Sequence, residues 1–109
     1  MTARARVLIW HRAPVDDPDA VRRAYEQISS RLAGTPGLLG NELLRGVDDP
    51  GRLVVMSEWE SLAAFKAWEQ TAEHRPSTSA LRPYQDRDRD RFFEVYEVTA
   101  AFDGAASEG

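Results

Sequence analysis

Three short apolar runs leave this chain few folds to choose from: Val7-Leu8-Ile9-Trp10, Leu53-Val54-Val55-Met56, and Phe92-Phe93 with Val95 and Tyr96 close behind. Each has the length of a strand and is nearly continuous rather than alternating, the pattern of a strand buried on both faces. Between them lie two amphipathic helical stretches and one further strand. Two helices cover one face of a four-stranded sheet and no more. The other face must meet a surface of its own, and a second copy of the same sheet is the simplest, because a wet one would expose a large apolar patch. The expected assembly is a homodimer in which two sheets pack as a barrel, with a pocket beneath the helices of each subunit.

The elements can be read in order. Arg6 to Arg12 predicts a first strand, closed by Pro14, which cannot donate to a ladder. Asp17-Pro18-Asp19 predicts an N-cap, a proline at the first helical position and an acidic first turn. Val21, Ala24, Tyr25, Ile28 and Leu32 then share one helical face, and Gly34 stands where a glycine stop belongs. Thr35-Pro36-Gly37 turns the chain into a second strand, Leu38 to Arg45. Asp48-Asp49-Pro50-Gly51 makes the turn of an antiparallel hairpin with a third, Leu53 to Trp59. Ser61 offers a capping hydroxyl, after which Leu62, Phe65 and Trp68 recur along one stripe of a second helix. Pro76 to Pro83 predicts irregular chain or a short helical turn. The alternating run Asp86 to Arg91 predicts a solvated approach to a last strand, Phe92 to Thr99, with a salt-bridged anchor as the alternative. The order β-α-β-β-α-β is that of the ferredoxin-like α+β sandwich with an antiparallel four-stranded sheet, occupying residues 1–100; residues 101–109 read as a flexible tail.

Composition narrows the function. A chain of 109 residues suits one domain. Fourteen Lys and Arg against 18 Asp and Glu give a net charge of −4, which opposes a nucleic-acid surface. Without cysteine there is no disulfide framework and no thiolate nucleophile or metal site. Only Val7 to Trp10 follow the charged N-terminus as an apolar run, too short for a signal peptide or a membrane span. The expectation is a cytoplasmic protein with neither nucleic acid nor membrane as partner.

Several short motifs, taken together, resemble one family. Pro36-Gly37-Leu38-Leu39-Gly40, Asp49-Pro50-Gly51, Ser57-Glu58-Trp59-Glu60-Ser61, Ala64-Phe65-Lys66-Ala67-Trp68, Glu73-His74-Arg75 and Phe93-Glu94-Val95-Tyr96 are similar to motifs of the antibiotic biosynthesis monooxygenase family of dimeric α+β barrels. The resemblance covers nearly the whole chain and implies that fold. It implies chemistry less narrowly, since the family includes polyketide anthrone oxygenases, quinol monooxygenases, haem-degrading enzymes and isomerases. In the cofactor-free polyketide oxygenases an asparagine lies on strand three, four residues before the tryptophan, and a tyrosine lies on the next helix. Those positions are Val55 and Phe65 here, and only Trp59 matches. The haem-degrading branch has a strand-one asparagine, a helix tryptophan and a downstream histidine ligand. Trp68 and His74 match these loosely, but the only asparagine in this chain, Asn41, falls on strand two.

The remaining residues bound the chemistry. There is no Gly-x-Gly-x-x-Gly or Walker loop, and the histidines, His11 and His74, lack the partner spacing of a metal site. Oxygenation without a cofactor must draw electrons from the substrate, with molecular oxygen as co-substrate. A phenol or anthrone that loses a proton becomes electron-rich enough to reduce O2 and recombine as a hydroperoxide, and the enzyme supplies a base, a dry aromatic cavity and orientation. His74 is the first candidate for the base and His11 the second. Trp59, the position that matches the polyketide oxygenases, joins His74 as a catalytic candidate; Trp68, Phe65, Val55 and His11 are candidate contacts for a small aromatic substrate, and Arg82 or Tyr84 could steady an anionic oxygen. Plainer roles compete: Trp59 as a plug between sheet and helix, His74 as a helix cap, His11 as a residue on its way to the surface at Arg12. The leading reading is a cofactor-independent monooxygenase or related tailoring enzyme for a polycyclic aromatic polyketide or a quinol. The alternatives are a haem-binding or haem-degrading protein, and a non-catalytic dimeric barrel that holds an aromatic metabolite.

Overall fold

The apolar runs pair with one another. In a computed structural model, which describes residues 3–71 and 79–104, β1 (Ala5–Arg12) and β3 (Arg52–Trp59) lie side by side at the centre of a sheet. β2 (Leu38–Arg45) flanks β3, and β4 (Phe93–Glu97) flanks β1, so the order is β2-β3-β1-β4 with every pairing antiparallel. The crossovers carry α1 (Ala20–Leu32) and α2 (Leu62–Glu69), and a 3-10 helix spans Ser79–Tyr84. This is the ferredoxin-like α+β arrangement.

The local chemistry accounts for most boundaries. Ser61 caps α2 by accepting from the Ala64 N–H at 3.0 Å. α1 ends in a tight turn: Ala33 is extended, Gly34 takes φ +83°, and the Thr35 N–H reaches the Leu32 carbonyl at 3.0 Å. Thr35-Pro36-Gly37-Leu38 repeats the device, with Gly37 at φ +82° and a 3.2 Å bond from the Leu38 N–H to the Thr35 carbonyl. The start of α1 differs from expectation. Pro18 and Asp19 form a turn ahead of the helix, Asp19 makes no side-chain cap, and the first turn holds no acid. The Asp17 carboxylate is drawn instead to the Arg23 guanidinium, while its carbonyl accepts from the Ala20 N–H.

Period-two alternation decides which side chains meet the helices. On β1 these are Ala5, Val7, Ile9 and His11, and on β3 Leu53, Val55, Ser57 and Trp59. Two clusters fill the space above them. Val21, Ala24 and Ile28 of α1 pack with Leu53, Val55 and Leu81, and Phe65 of α2 packs with Ala5, Val7 and Trp59. The opposite face carries Leu8, Trp10, Val54 and Met56 at its centre, with Leu44 and Tyr96, 42% and 50% exposed, beside them. Arg6 bridges to Glu58 at 3.1 Å on that face.

One irregularity has a large effect. Leu38 pairs with Trp59, but Gly40 pairs with Glu58, so Leu39 is an extra residue bulged out of β2. The slip inverts the faces of everything after it, turning Asn41 and Leu43 toward the helices and Leu44 away.

The charged run before β4 is anchored rather than simply solvated. Arg89 lies 3.9 Å from the Trp10 ring centroid and 3.9 Å from the Glu94 carboxylate, and Arg87 lies over Phe92. β4 itself is shorter than Phe92 to Thr99, although backbone bonds from the Trp10 N–H to the Phe92 carbonyl and from the Val98 N–H to the Arg4 carbonyl extend the pairing by a residue at each end. Among the described residues no helix is long and apolar enough to cross a membrane.

Gly37 does two things that an alanine could not. Its φ is +82°, and a Cβ there would lie 2.6 Å from the Ala64 Cβ of α2. Gly37→Ala is expected to destabilise the protein by roughly 2–4 kcal/mol in urea unfolding, from left-handed strain plus overpacking. Gly34→Ala has the same φ problem but nothing within 4 Å, so its cost should stay near about 1 kcal/mol. Equal losses for the two variants would contradict the contact.

Candidate functional site

A hollow of about 150 Å³ lies between the sheet and the helices. Aromatic rings line one end of it. Trp59, at the end of β3, is 1% exposed, and its indole N–H donates to Ser57 Oγ at 2.9 Å. Phe65 meets it edge-on at 5.5 Å between centroids, and Trp68 lies 5.2 Å away at an interplanar angle of 34°. Phe93 of β4 extends the row, 6.2 Å from Phe65. The helical stripe Leu62-Phe65-Trp68 and the strand end at Trp59 therefore meet as the sequence implies. Trp59 is both wall and plug, and with its N–H already taken it has no proton to offer a ligand.

His11 lies at the far end of β1, in the row defined by Leu53. The expectation that it approaches the surface fails: it is 1% exposed, because β1 places it on the helix side and the backbone bridge to Gln85 closes the chain over it. Neither ring nitrogen has a hydrogen-bond partner among the described residues. Burial drives its pKa down from 6.5 to about 4, against weaker opposing pulls from the Ile9 backbone, which lies outside hydrogen-bond geometry, and the Asp86 carboxylate. At neutral pH the imidazole is uncharged, and both its nitrogens are buried without a hydrogen-bond partner among the described residues, beside a largely apolar hollow that the residue helps to line.

The 3-10 helix sorts the two anion candidates. Leu81, Arg82 and the following Gln85 line the hollow, while Tyr84 packs against the core cluster on α1 and does not. Tyr84 is thus not a lining residue. Arg82 is half-buried and makes no side-chain ion pair among the described residues. Val55 lines the floor. His74 lies outside the described residues.

Sequence reasoning missed Tyr25, Asn41, Ser57, Gln85 and Phe93, all of which line the hollow. Tyr25 belongs to the face of α1 identified as apolar, and its hydroxyl was the overlooked signal. Asn41 was hidden by the bulge at Leu39.

Among the described residues no group of three or more His, Cys, Asp or Glu could hold a metal ion. At about 150 Å³ the hollow lies below the roughly 300–1,000 Å³ of drug-sized ligand sites. That volume is closer to the size of one or two fused rings than to a haem macrocycle. A larger depression of about 450 Å³ beside Arg12 and residues 85–89 is open and charged, unsuited to a flat apolar molecule.

The sequence profile of the antibiotic biosynthesis monooxygenase family matches residues 6–76. The chain belongs to that family. Within it, the chain is 35% identical over 89 residues to protein SchA of Streptomyces halstedii, covering 79% of this chain and 23% of SchA. It is 35% identical over 81 residues to a 42.8 kDa protein of the whiE locus of Streptomyces coelicolor, covering 74% of this chain and 20% of that one. The chain thus spans less than a quarter of the length of either relative. Among solved structures it is similar to SnoaB, a cofactor-independent oxygenase from Streptomyces nogalater, with a TM-score of 0.63, 21% identity and 93% of each chain covered. A conserved protein of Methanosarcina mazei gives a TM-score of 0.68 at 10% identity, covering 89% of this chain and 92% of that one. At such identities the likeness establishes a shared fold.

The buried imidazole makes stability depend on pH. The unfolded chain binds a proton at His11 below about pH 6.5, whereas the folded chain does so only below about 4. Between these values protons favour the unfolded state, so the stability is full above 6.5 and lost as pH falls toward 4. Urea unfolding at pH 7 and pH 4 should show wild type losing roughly 3 kcal/mol more than His11→Leu. Identical pH dependence in the two proteins would contradict the burial.

Proposed function

We propose that this family member is a cofactor-independent oxygenase that converts a compact phenolic or quinol substrate to a quinone, with His11 as the base. The observation that carries this reading is the neutral, unpartnered imidazole sealed into an aromatic hollow. A base needs a free lone pair in its working form, and desolvation keeps His11 in that form throughout the neutral range. SnoaB, on the same fold, carries the description cofactor-independent oxygenase, which supports the reading. The size of the hollow favours one or two fused rings over the larger polycyclic polyketides.

The chemistry follows from the residues. A substrate hydroxyl beside His11 gives up its proton, and the charge spreads through the ring onto a carbon still bearing hydrogen. That carbon transfers an electron to O2 and recombines with it, forming a C–O bond and a hydroperoxide. Loss of the carbon's hydrogen as a proton breaks the O–O bond, leaving one oxygen as the quinone carbonyl and the other in water. Arg82 stands on the hollow's wall, where its charge would stabilise the phenolate and peroxide oxygens. Trp59, Trp68, Phe65 and Val55 hold the ring flat and keep water out.

The assembly belongs to the same proposal. Leu8, Trp10, Val54, Met56, Leu44 and Tyr96 form an apolar field that α1 and α2 do not reach. A second copy of the sheet would cover it, giving a homodimer. Sedimentation equilibrium should return twice the 12.2 kDa chain mass, and Met56→Glu should return a single chain. A stable wild-type monomer would refute the pairing.

Activity is read by oxygen consumption with a panel of naphthols and naphthoquinols. His11→Ala should lower kcat at least about 100-fold, the usual contribution of a general base, while His74→Ala retains most of the rate. The acid limb of the kcat/KM profile should fall near pH 4, where His11 titrates. Wild-type rates no greater than buffer would favour a non-catalytic binding protein, and loss of activity in His74→Ala alone would move the base there.

A further inference from the structure

The hollow holds a second polar feature that the reaction above does not use. Asn41 is half-buried on β2 and faces inward only because of the Leu39 bulge. Its side chain is held from α1 by two hydroxyls: Tyr25 donates to Asn41 Oδ1 and also lies 3.2 Å from the Asn41 carbonyl, and Ser29 donates to the same Oδ1 at 3.3 Å. With both hydroxyls directed at the amide oxygen, the amide is fixed with its NH2 group outward. Nδ2 has no hydrogen-bond partner among the described residues, and the lining of the hollow includes, besides Tyr25 and the Ser57 opposite Asn41, the apolar Val7, Ile28, Leu32 and Trp59. Unlike the His11 nitrogens, Nδ2 is not sealed off, so it remains open to an acceptor, whether water or a ligand oxygen.

We propose that Asn41 Nδ2 is the specificity-determining donor of this site, receiving a carbonyl or phenolate oxygen of the bound ligand. The sheet register sets where that oxygen lies. Asn41 stands opposite Ser57 on β2, whereas His11 stands opposite Leu53 on β1, two strands across and two side-chain rows along. The hollow therefore offers a proton acceptor at one end and a proton donor at the other, with aromatic and aliphatic walls between. The ligand class that satisfies both is a flat one- or two-ring molecule with a hydroxyl at one end and an oxygen acceptor at the other, such as a hydroxynaphthoquinone or quinol, rather than a simple phenol. This inference rests on the hollow being the ligand site, as in the preceding proposal, but not on turnover.

Binding tests it without turnover. Quenching of tryptophan fluorescence is titrated with 6-hydroxy-1,4-naphthoquinone, whose hydroxyl and carbonyl acceptors lie on opposite rings, and with 2-naphthol, which has the same two rings and hydroxyl position and no carbonyl. Wild type should prefer the hydroxyquinone by at least about tenfold, the yield of one well-formed hydrogen bond in a dry site. Asn41→Leu should abolish the preference by weakening the hydroxyquinone alone. Asn41→Asp keeps an oxygen for Tyr25 and Ser29 but presents no donor, so it should fold normally and lose the preference too. Tyr25→Phe frees the amide and should reduce the preference partway. If Asn41→Asp keeps the wild-type preference, or if the Asn41 variants weaken both ligands equally, Asn41 is structural and the proposal fails. If wild type binds neither ligand, the hollow is not an aromatic site and both proposals fall; if binding and discrimination hold without oxygen uptake, only the oxygenase reading falls.

Discussion

Sealing the His11 imidazole away from water, with no partner for either nitrogen among the described residues, works against folding, and the packing around it must offset that cost. An unsatisfied buried polar group costs about 1–3 kcal/mol, and the low dielectric around it that makes the cost large also keeps His11 uncharged. The opposing contribution comes from the same compartment. Trp59, Phe65 and Trp68 contact one another over 5.2–6.3 Å between centroids, and each such pair adds about 0.5–1.5 kcal/mol beyond its buried area. Ser57 satisfies the indole N–H that would otherwise be a second orphan. Packing thus holds an unsatisfied imidazole in place, as the proposed role of His11 as a base requires.

Much of the fold was legible in the residues because local chemistry and global pattern agree. Ser61 caps where a hydroxyl precedes an apolar stripe, Gly34 and Gly37 turn where only glycine turns freely, and the Asp49-Pro50-Gly51 segment closes the β2–β3 hairpin. The Leu62-Phe65-Trp68 stripe and the strand-end Trp59 were brought together as their spacing implied. The continuous apolar runs correctly marked β1, β3 and β4 as strands, with large side chains on both faces.

What stayed illegible depended on single-residue shifts of register or phase. Nothing in Pro36-Gly37-Leu38-Leu39-Gly40 announces that Leu39 leaves the ladder, yet that one residue decides whether Asn41 or Leu44 faces the helices. His11 lay one residue from exposed Arg12 and read as surface-bound, but the strand continues through it and the Gln85 bridge closes over it. Arg82 and Tyr84 looked equivalent in the segment, yet Arg82 lines the hollow and Tyr84 packs against the core on α1. The alternating Asp-Arg run read as solvated because its partners, the Trp10 and Phe92 rings and the Glu94 carboxylate, lie outside the run itself.

The protonation state of the His11 ring bears most directly on this account. Long-range proton–nitrogen correlation spectra of the imidazole, followed from pH 8 to pH 3.5 in selectively labelled protein, report the charge and the tautomer without reference to stability or turnover. The account predicts neutral nitrogen shifts down to about pH 5 and a midpoint near 4. A midpoint at the ordinary value near 6.5 would show a hydrated ring, and with it neither a dry hollow nor a base held free inside it.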